Sequence, residues 1–275
     1  MFNTLLPNKA VGNTSIKILA TRPEAMADRL VLPLQAAGYQ VTNVPLLAIQ
    51  PLVLAPQQKQ WLMDLDLFRR VVVISPSAAD VLLDTLDDYW PQWPVGVNWY
   101  TVGQGTKLRL GQAGIDAVCP EQGDKSEDLL QHPDLQQLAG EKVLLAKGMG
   151  GRDLLYDTLT ARGAKVSILP LYERVKPKLR PEQLDELLAG NHQVLVVTSG
   201  ESLLQYLAFA KARFSEARFS QASTNPQALE QQLNRCWLLV PSYRIEQQAR
   251  QLGFNAVVNT DGAGAAAILA AIKAL

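Results

Sequence analysis

Apolar and polar positions along this chain form blocks that occur in two similar copies. The segment IKILATRPEAMADRLVLPLQAAGYQVTNVPLL, residues 16–47, resembles EKVLLAKGMGGRDLLYDTLTARGAKVSILPLY, residues 141–172, at a constant offset of 125 positions without gaps. In each copy a short apolar run predicts a buried strand, and apolar residues at helical spacing predict a helix that ends at Gly38 or Gly163. The repeated unit is therefore strand, helix, strand, which predicts a parallel pair of strands with a right-handed crossover.

The repeat continues in two further pairs of segments. RRVVVISPSAADVLLDTL parallels HQVLVVTSGESLLQYLA and places Ser75 opposite Ser199, each at the end of a β-branched strand and just before a helix. GQAGIDAVCPEQGDKSEDLL parallels RQLGFNAVVNTDGAGAAAIL, with Gly114 opposite Gly253. This alternation predicts two α/β units, each with a parallel sheet. Contiguous repeats alone would place the boundary between the units near residue 138.

Composition adds limits on the partners. The chain has 275 residues, of which 48% are hydrophobic and 19% charged, as is typical of a soluble globular protein. Its 26 basic residues balance its 26 acidic ones, so the chain has no net positive charge that would attract nucleic acid or an anionic membrane. An anionic ligand must then be bound by local groups.

Cysteine and histidine are sparse. Cys119 and Cys236 are far apart and have no CxxC partner, and His132 and His192 are too few for the usual catalytic metal site. We expect buried, reduced thiols and no metal. The N-terminus lacks a signal-peptide pattern, and no apolar run approaches the roughly 20 residues of a membrane span, which predicts a cytoplasmic protein.

The predicted strand ends carry hydroxyls, glycines and isolated cations. In parallel sheets, ligands bind at the carboxyl ends of the strands, where helix N-termini present unpaired N–H groups. This composition suits hydrogen bonding to several carboxylates or phosphates, and it does not suit nucleophilic or metal-assisted hydrolysis. Two alternatives remain: the hydroxyls cap helices, and the cations are surface charges. The candidate residues are Thr21, Arg22, Ser75, Ser77, Gly103, Gly105, Thr106, Lys147, Arg152, Thr198, Ser199, Ser202, Ser242 and Arg244.

The glycine loop KGMGGRD, Lys147 to Asp153, does not match the known phosphate-binding loops. Counted from Gly148, the sixth position of a dinucleotide fingerprint is Asp153 and not glycine. A P-loop would end in Gly-Lys-Ser/Thr, and this loop ends in Gly-Arg-Asp. A nucleotide-dependent enzyme is therefore disfavoured.

Tyr172 departs from the internal repeat, because the equivalent residue of the first copy is Leu47. Tyrosine is a competent general acid when its hydroxyl points at a leaving group, although its unperturbed pKa near 10 makes it a weak one. The alternative is an amphipathic ring at a strand end. For Trp90, Trp93 and Trp99 in the segment YWPQWPVGVNWY we expect plain packing.

The order of these motifs resembles the uroporphyrinogen-III synthase family. The resemblance runs from ILATRPEA through the strand ending in ISPSA, then VGQGT, KGMGGR, ARGAKVSILPLYER and VTSGES, and covers residues 16 to 272 approximately. It implies an α/β fold of two similar, flavodoxin-like parallel-sheet domains joined by a two-stranded linker. One domain would hold residues 1–46 and 176–275, and the other 47–175, with linker strands near 45–52 and 171–178.

The resemblance also implies a reaction. Enzymes of this family bind hydroxymethylbilane, a linear tetrapyrrole with eight carboxylates, in the cleft between the domains. They cyclise it to uroporphyrinogen III with loss of water and inversion of the terminal pyrrole ring. Such an enzyme would be a cofactor-free monomeric lyase of heme biosynthesis that takes its substrate by transient hand-over from the preceding enzyme. The competing hypothesis is a two-lobed α/β binding module that holds a small anionic ligand without catalysis.

The resemblance implies functional roles for the residues of this chain that match the family motifs. Tyr172 falls on the tyrosine that the family offers as the acid. The substrate-binding set is Arg22, Ser75, Ser77, Gly103, Thr106, Lys147, Arg152, Ser199 and Ser242. The chain departs from the family at Pro241-Ser242-Tyr243-Arg244, where a glycine followed by a threonine is common, which weakens the role of Ser242. Residues 1–15 lie outside the resemblance and are predicted to be a flexible extension.

Overall fold

The computed structural model describes residues 16–216 and 226–275, so the predicted N-terminal extension lies outside the described residues. The strands in chain order are β1 (Lys17–Ala20), β2 (Gln40–Asn43), β3 (Ala48–Pro51), β4 (Arg70–Val73), β5 (Asn98–Thr101), β6 (Ala117–Val118), β7 (Lys142–Gly148), β8 (Lys165–Val175), β9 (Val194–Val196), β10 (Trp237–Val240) and β11 (Val257–Asn259). The α-helices are α1 (Glu24–Ala36), α2 (Pro56–Met63), α3 (Pro76–Leu86), α4 (Gln104–Gln112), α5 (Ser126–Leu129), α6 (Leu154–Ala161), α7 (Pro181–Leu188), α8 (Gly200–Glu216), α9 (Pro226–Leu233), α10 (Tyr243–Gln251) and α11 (Ala265–Ala274).

The chain divides into two compact units. Unit 1 runs up to Ala48 and resumes at Val175, and unit 2 comprises Ile49–Arg174. A boundary near residue 138 is excluded, because β4 and β7 on either side of it pair within one parallel sheet. Contiguity along the chain misleads here because strand pairing, and not sequence order, decides which segments share a core.

Unit 1 is a five-stranded parallel sheet in the order β11-β10-β9-β1-β2. Renumbered within the unit, this order is 2-1-3-4-5, the flavodoxin-like arrangement, with its switch point between β1 and β9. Successive apolar side chains of its strands point to opposite faces, and both faces of the sheet are covered by helices. Ile18 and Ala20 pack with α1 and α11 on one face, and Leu19 packs with α7, α8 and α10 on the other.

Unit 2 contains a six-stranded sheet in the order β3-β8-β7-β4-β5-β6. We name its two faces by the helices that cover them. On the α3 face, Val71 and Val73 of β4 pack with Leu82 and other residues of α3. On the α6 face, Val72 packs with Leu155 and Leu159 of α6. The switch point of this sheet lies between β7 and β4.

The internal repeat is confirmed at the level of strand register. Lys17 pairs with Gln40 in β1 and β2, and Lys142 pairs with Lys165 in β7 and β8, so the offset of 125 relates both partners. The copies enter their sheets in a different chain order, since β4, β5 and β6 precede β7 and β8. Unit 2 is therefore a circularly permuted version of unit 1, extended at one edge by β3.

The tryptophans and cysteines have structural surroundings. Trp90 Nε1 donates to the Leu62 carbonyl at 2.7 Å and Trp93 Nε1 donates to the Ala113 carbonyl at 2.6 Å, while Trp99 is buried. These contacts agree with the expected packing role. Both cysteines are free, as expected of reduced thiols, but each is partly exposed and not buried as expected. The surrounding core raises the pKa of Cys236 to about 12, which keeps it a thiol.

Candidate active site

Tyr172 and Ser75 meet at the switch point of unit 2. Ser75 follows β4 in an extended conformation and caps α3, with its Oγ accepting from the Ala78 N–H at 3.1 Å. The Tyr172 hydroxyl lies 3.1 Å from the same Oγ, and either group can donate. Tyr172 is only 3% exposed, whereas Ser75 is half-buried. The ring of Tyr172 is therefore packed in the core, and its hydroxyl points to the loop that follows β4.

A β-bulge gives Tyr172 this direction. Lys147 pairs with Pro170, but the next residue of β7, Gly148, pairs with Tyr172, so Leu171 is the extra residue of β8. Strict alternation would place Leu171 and Tyr172 on opposite faces of the sheet. Both instead pack on the α3 face, because a bulge places two successive residues of one strand opposite a single residue of the neighbouring strand. The Tyr172 carbonyl also accepts from the Met149 N–H at 2.7 Å, which holds the bulge to the glycine loop.

The two cations of the glycine loop are paired with carboxylates of the same unit. The Lys147 side chain is 7% exposed, and its Nζ lies 3.4 Å from Oδ1 of the exposed Asp153. The Arg152 Nη1 donates to Glu127 Oε1 at 2.6 Å on the surface. This hydrogen bond lowers the pKa of the Glu127 carboxyl and raises that of Arg152. A ligand carboxylate that binds either cation therefore competes with a protein carboxylate or shares the cation with it.

The other predicted residues of unit 2 are largely covered. Ser77 lies in the first turn of α3 and is 8% exposed, and Thr106 in α4 is 2% exposed. Gly103 precedes α4 in an extended conformation, and its carbonyl accepts from the Thr106 N–H at 3.1 Å. What this loop can offer a ligand is chiefly the backbone N–H groups at the start of α4.

In unit 1, Arg22 follows β1 and is held from two sides. Its guanidinium donates to the Ala263 carbonyl, and its backbone N–H donates to Asn43 Oδ1 at 3.0 Å. Burial, and secondarily repulsion from Arg29, lowers the pKa of the Arg22 guanidinium. Its Nε is buried and finds no hydrogen-bond partner among the described residues. The alternative of a freely solvated surface charge is thus wrong for Arg22, as it is for the buried Lys147.

Ser199 and Ser242 behave differently from each other. Ser199 Oγ accepts from the Ser202 N–H at 3.0 Å and shares a hydrogen bond with Ser202 Oγ at 2.9 Å. It is therefore a cap, like its counterpart Ser75. Ser242 stands at the N-cap position of α10 but makes no side-chain cap hydrogen bond. The residue equivalent to Tyr172 in this unit is the buried Leu47, so the tyrosine–serine pair occurs in unit 2 alone.

The structure brings Tyr172, Ser75 and the glycine loop together in unit 2, and it places Arg22, Ser199 and Ser242 in unit 1. Inspection of the sequence missed the contact of Gly148 with Tyr172, and it missed the carboxylates that pair with the loop cations. Asp153 was visible at the end of the loop. Glu127 gave no signal, because it is 25 residues away from Arg152 along the chain.

Comparison with known proteins shows which family the chain belongs to. A family model described as uroporphyrinogen-III synthase HemD matches residues 28–270. The chain belongs to the uroporphyrinogen-III synthase family. Uroporphyrinogen-III synthase of Escherichia coli K12 is 31% identical over 262 residues, and that of Salmonella typhimurium LT2 is 33% identical over 260 residues. Each alignment covers 94% of this chain and 100% of the relative.

Two solved uroporphyrinogen-III synthases share the fold. A mutant of the Thermus thermophilus protein matches with a TM-score of 0.54 at 18% identity, covering 94% of this chain and 98% of that one. The Helicobacter pylori 26695 protein matches with a TM-score of 0.57 at 13% identity, covering 94% and 99%. The predicted α/β class is confirmed. Uroporphyrinogen-III synthases are lyases of tetrapyrrole and heme biosynthesis, so the enzyme prediction is confirmed and the binding-module alternative is not supported.

Proposed function

We propose that this chain cyclises hydroxymethylbilane to uroporphyrinogen III with loss of water and inversion of the terminal pyrrole ring. Family membership over most of the chain sets the reaction class. The observation that carries the mechanism is the Tyr172–Ser75 pair at the switch point of unit 2, with its hydroxyls 3.1 Å apart. It pairs an oriented phenol, a stronger acid than an alcohol, with a serine hydroxyl, whereas the Ser199–Ser202 pair of unit 1 offers two alcohols only.

Substrate binding is distributed over several loops. Each unit presents capped helix N-termini and cations at the carboxyl ends of its strands, and these groups suit the eight carboxylates of the substrate. Arg22 supports this proposal, because a partly buried guanidinium gains more from a carboxylate than a fully solvated one does. The remaining binding residues that we propose are Ser75, Ser77, Gly103, Thr106, Lys147, Arg152, Ser199 and Ser242.

The chemical step needs departure of the substrate hydroxyl. Ser75 Oγ has two acceptor lone pairs and one proton, and the Ala78 N–H occupies one lone pair. Ser75 then donates its proton to the Tyr172 oxygen, which leaves the tyrosine proton free for the substrate. Tyr172 protonates the leaving hydroxyl, which departs as water and leaves a cationic azafulvenium. The same Ser75 hydrogen bond stabilises the phenolate that Tyr172 becomes.

Ring inversion follows from positioning. The substituted carbon of the terminal ring attacks the azafulvenium and forms a protonated spiro-pyrrolenine, which fragments and recloses inverted. The terminal ring loses one proton on final closure, and this proton restores Tyr172. Substrate and product therefore differ by one water. Because closure without enzyme gives the uninverted isomer, the protein must hold the chain in one conformation.

Product analysis tests this proposal. Freshly made hydroxymethylbilane is supplied to the purified chain after dialysis against chelator, and the oxidised products are resolved into isomers I and III. We expect isomer III without any added metal or nucleotide, and isomer I from the heat-denatured control. Isomer I alone, at the rate of the control, would refute the function. Activity that returns only with a metal or nucleotide would refute the cofactor-free mechanism.

The setting of the enzyme is a separate proposal. No helix in the described part of the chain combines the length and hydropathy that crossing a bilayer requires. We propose that the enzyme works as a cytoplasmic monomer and receives its substrate by transient hand-over from the preceding enzyme. The lability of hydroxymethylbilane supports the hand-over, since free substrate closes to the uninverted isomer. Size-exclusion chromatography and cell fractionation test the monomer and the compartment.

A further inference from the structure

Gly148 lies directly against the ring of Tyr172. A Cβ built on Gly148 would stand 2.6 Å from Cζ, 2.8 Å from Cε2 and 3.0 Å from the hydroxyl oxygen of Tyr172. Real side chains do not approach this closely, so any residue larger than glycine must move the ring. The contact arises at the bulge, where Gly148 is the register partner of Tyr172.

The backbone of Gly148 does not itself require glycine. Its φ lies outside the left-handed region, in contrast to Gly150 at 74° and Gly151 at 89° further along the loop. Alanine could therefore adopt the backbone conformation of Gly148. What excludes a side chain at this position is the aromatic ring, and this separates Gly148 from the glycines that shape the turn.

We propose that Gly148 is a positioning residue whose missing side chain leaves the space that holds the Tyr172 hydroxyl at Ser75. This inference rests on the proposed function and adds a requirement to it. The bulge turns the ring to the α3 face, and the absence of a Cβ on Gly148 leaves room for the ring beside β7. The ring then ends with its hydroxyl 3.1 Å from Ser75 Oγ.

The size of the effect follows from the geometry. To reach ordinary van der Waals contact the ring must shift by roughly 0.8 Å, and a misplacement of about 1 Å can cost about 100-fold in rate. Tyr172 is 3% exposed and packed among Leu169, Leu171 and α3, so the ring cannot yield freely. Directed away from Ser75, a shift of this size lengthens the 3.1 Å contact beyond hydrogen-bond reach, and it also displaces the hydroxyl from the leaving group. For Gly148→Ala we expect kcat to fall about 10- to 100-fold, with KM changed by less than about 3-fold.

A different role for Gly148 would give a different result. If Gly148 instead allowed the backbone to approach a substrate carboxylate closely, Gly148→Ala would raise KM. It would do so whether or not residue 172 carries a hydroxyl. A double-mutant cycle separates the two roles, because residues that act through one group are not additive.

The experiment compares Gly148→Ala, Tyr172→Phe and the double variant. Gly111→Ala is the matched control, because it lies in α4 of the same unit and its Cβ would meet nothing within 4 Å. We expect the 10- to 100-fold loss of kcat from Gly148→Ala in the wild-type background to shrink to less than about 2-fold in the Tyr172→Phe background. Gly111→Ala should leave kcat within about 2-fold of wild type.

The outcomes are distinguishable from failure of the proposed function. If the wild-type chain makes no isomer III, the function fails whatever Gly148 does. If the wild type makes isomer III and Gly148→Ala costs the same factor in both backgrounds, or raises KM alone, the positioning role is refuted. If Gly148→Ala does not fold, Tyr172→Leu in the same chain should recover the melting temperature in part, because leucine lacks the Cζ, Cε2 and hydroxyl atoms that the new Cβ would meet. No recovery would overturn the inference.

Discussion

Replacing Tyr172 with phenylalanine removes one oxygen atom from unit 2 and leaves the packed ring in place. The lost oxygen is the one 3.1 Å from Ser75 Oγ, and the Ala78 N–H keeps its own bond to that Oγ. Since Ser75 is half-buried, its freed hydroxyl can turn to water. The expected cost in unfolding free energy is therefore about 1 kcal/mol, the value of one neutral hydrogen bond.

The catalytic loss should exceed this structural cost. General acid assistance is typically worth about 10²- to 10⁴-fold, but the substrate can lose its hydroxyl unaided, so we expect a loss near or below about 100-fold. Isomer III should persist as part of the product, because the groups that hold the terminal ring remain. Rate and isomer ratio are measured together on the folded variant.

Tyr206→Phe provides the matched control. Tyr206 is 2% exposed, and its hydroxyl accepts from Gln232 Nε2 at 3.4 Å within the core of unit 1. The same substitution there should cost a similar free energy of unfolding and leave the rate unchanged. If Tyr172→Phe retained the wild-type rate and the full share of isomer III, Tyr172 would have no part in the mechanism. Catalysis would then rest on binding geometry alone.

Three further predictions follow from other contacts. Ser75→Ala should lower kcat by about 5-fold, which corresponds to one hydrogen bond. A loss as large as that of Tyr172→Phe would make Ser75 the direct proton donor. Asp153→Asn should lower KM, because the substrate no longer competes with Asp153 for Lys147; an unchanged KM would show that Lys147 only holds the loop. Burial lowers the pKa of His192 in the folded chain, so the unfolded state binds more protons and stability should fall as pH drops below about 6.5. His192→Gln should flatten that part of the stability curve measured by urea titration.

Local pattern was enough to predict the repeated strand–helix–strand units. Strand and helix periods, and the glycines that end the helices, are properties of a few neighbouring residues. For this reason Gly38 and Gly163 both have φ near 90°, at 90° and 92°, as the repeat leads one to expect. The set of strand-end residues was equally accessible, since parallel sheets bring those ends to one edge. The sequence also predicts two domains, residues 1–46 with 176–275 and residues 47–175. That they bind the substrate in a cleft between them stays a prediction.

The sequence by itself determined the type of each repeated element and the family, because these depend on residues close in the chain or on their order. Only the tertiary structure decided that β4 pairs with β7 and so joins segments on either side of residue 138. Only the tertiary structure decided the direction of Tyr172. Alternation along β8 would turn it away from Leu171, and a single extra residue in the strand places both on the α3 face. That bulge brings Tyr172 to Ser75, 97 positions away along the chain, a contact that depends on long-range packing and not on local spacing.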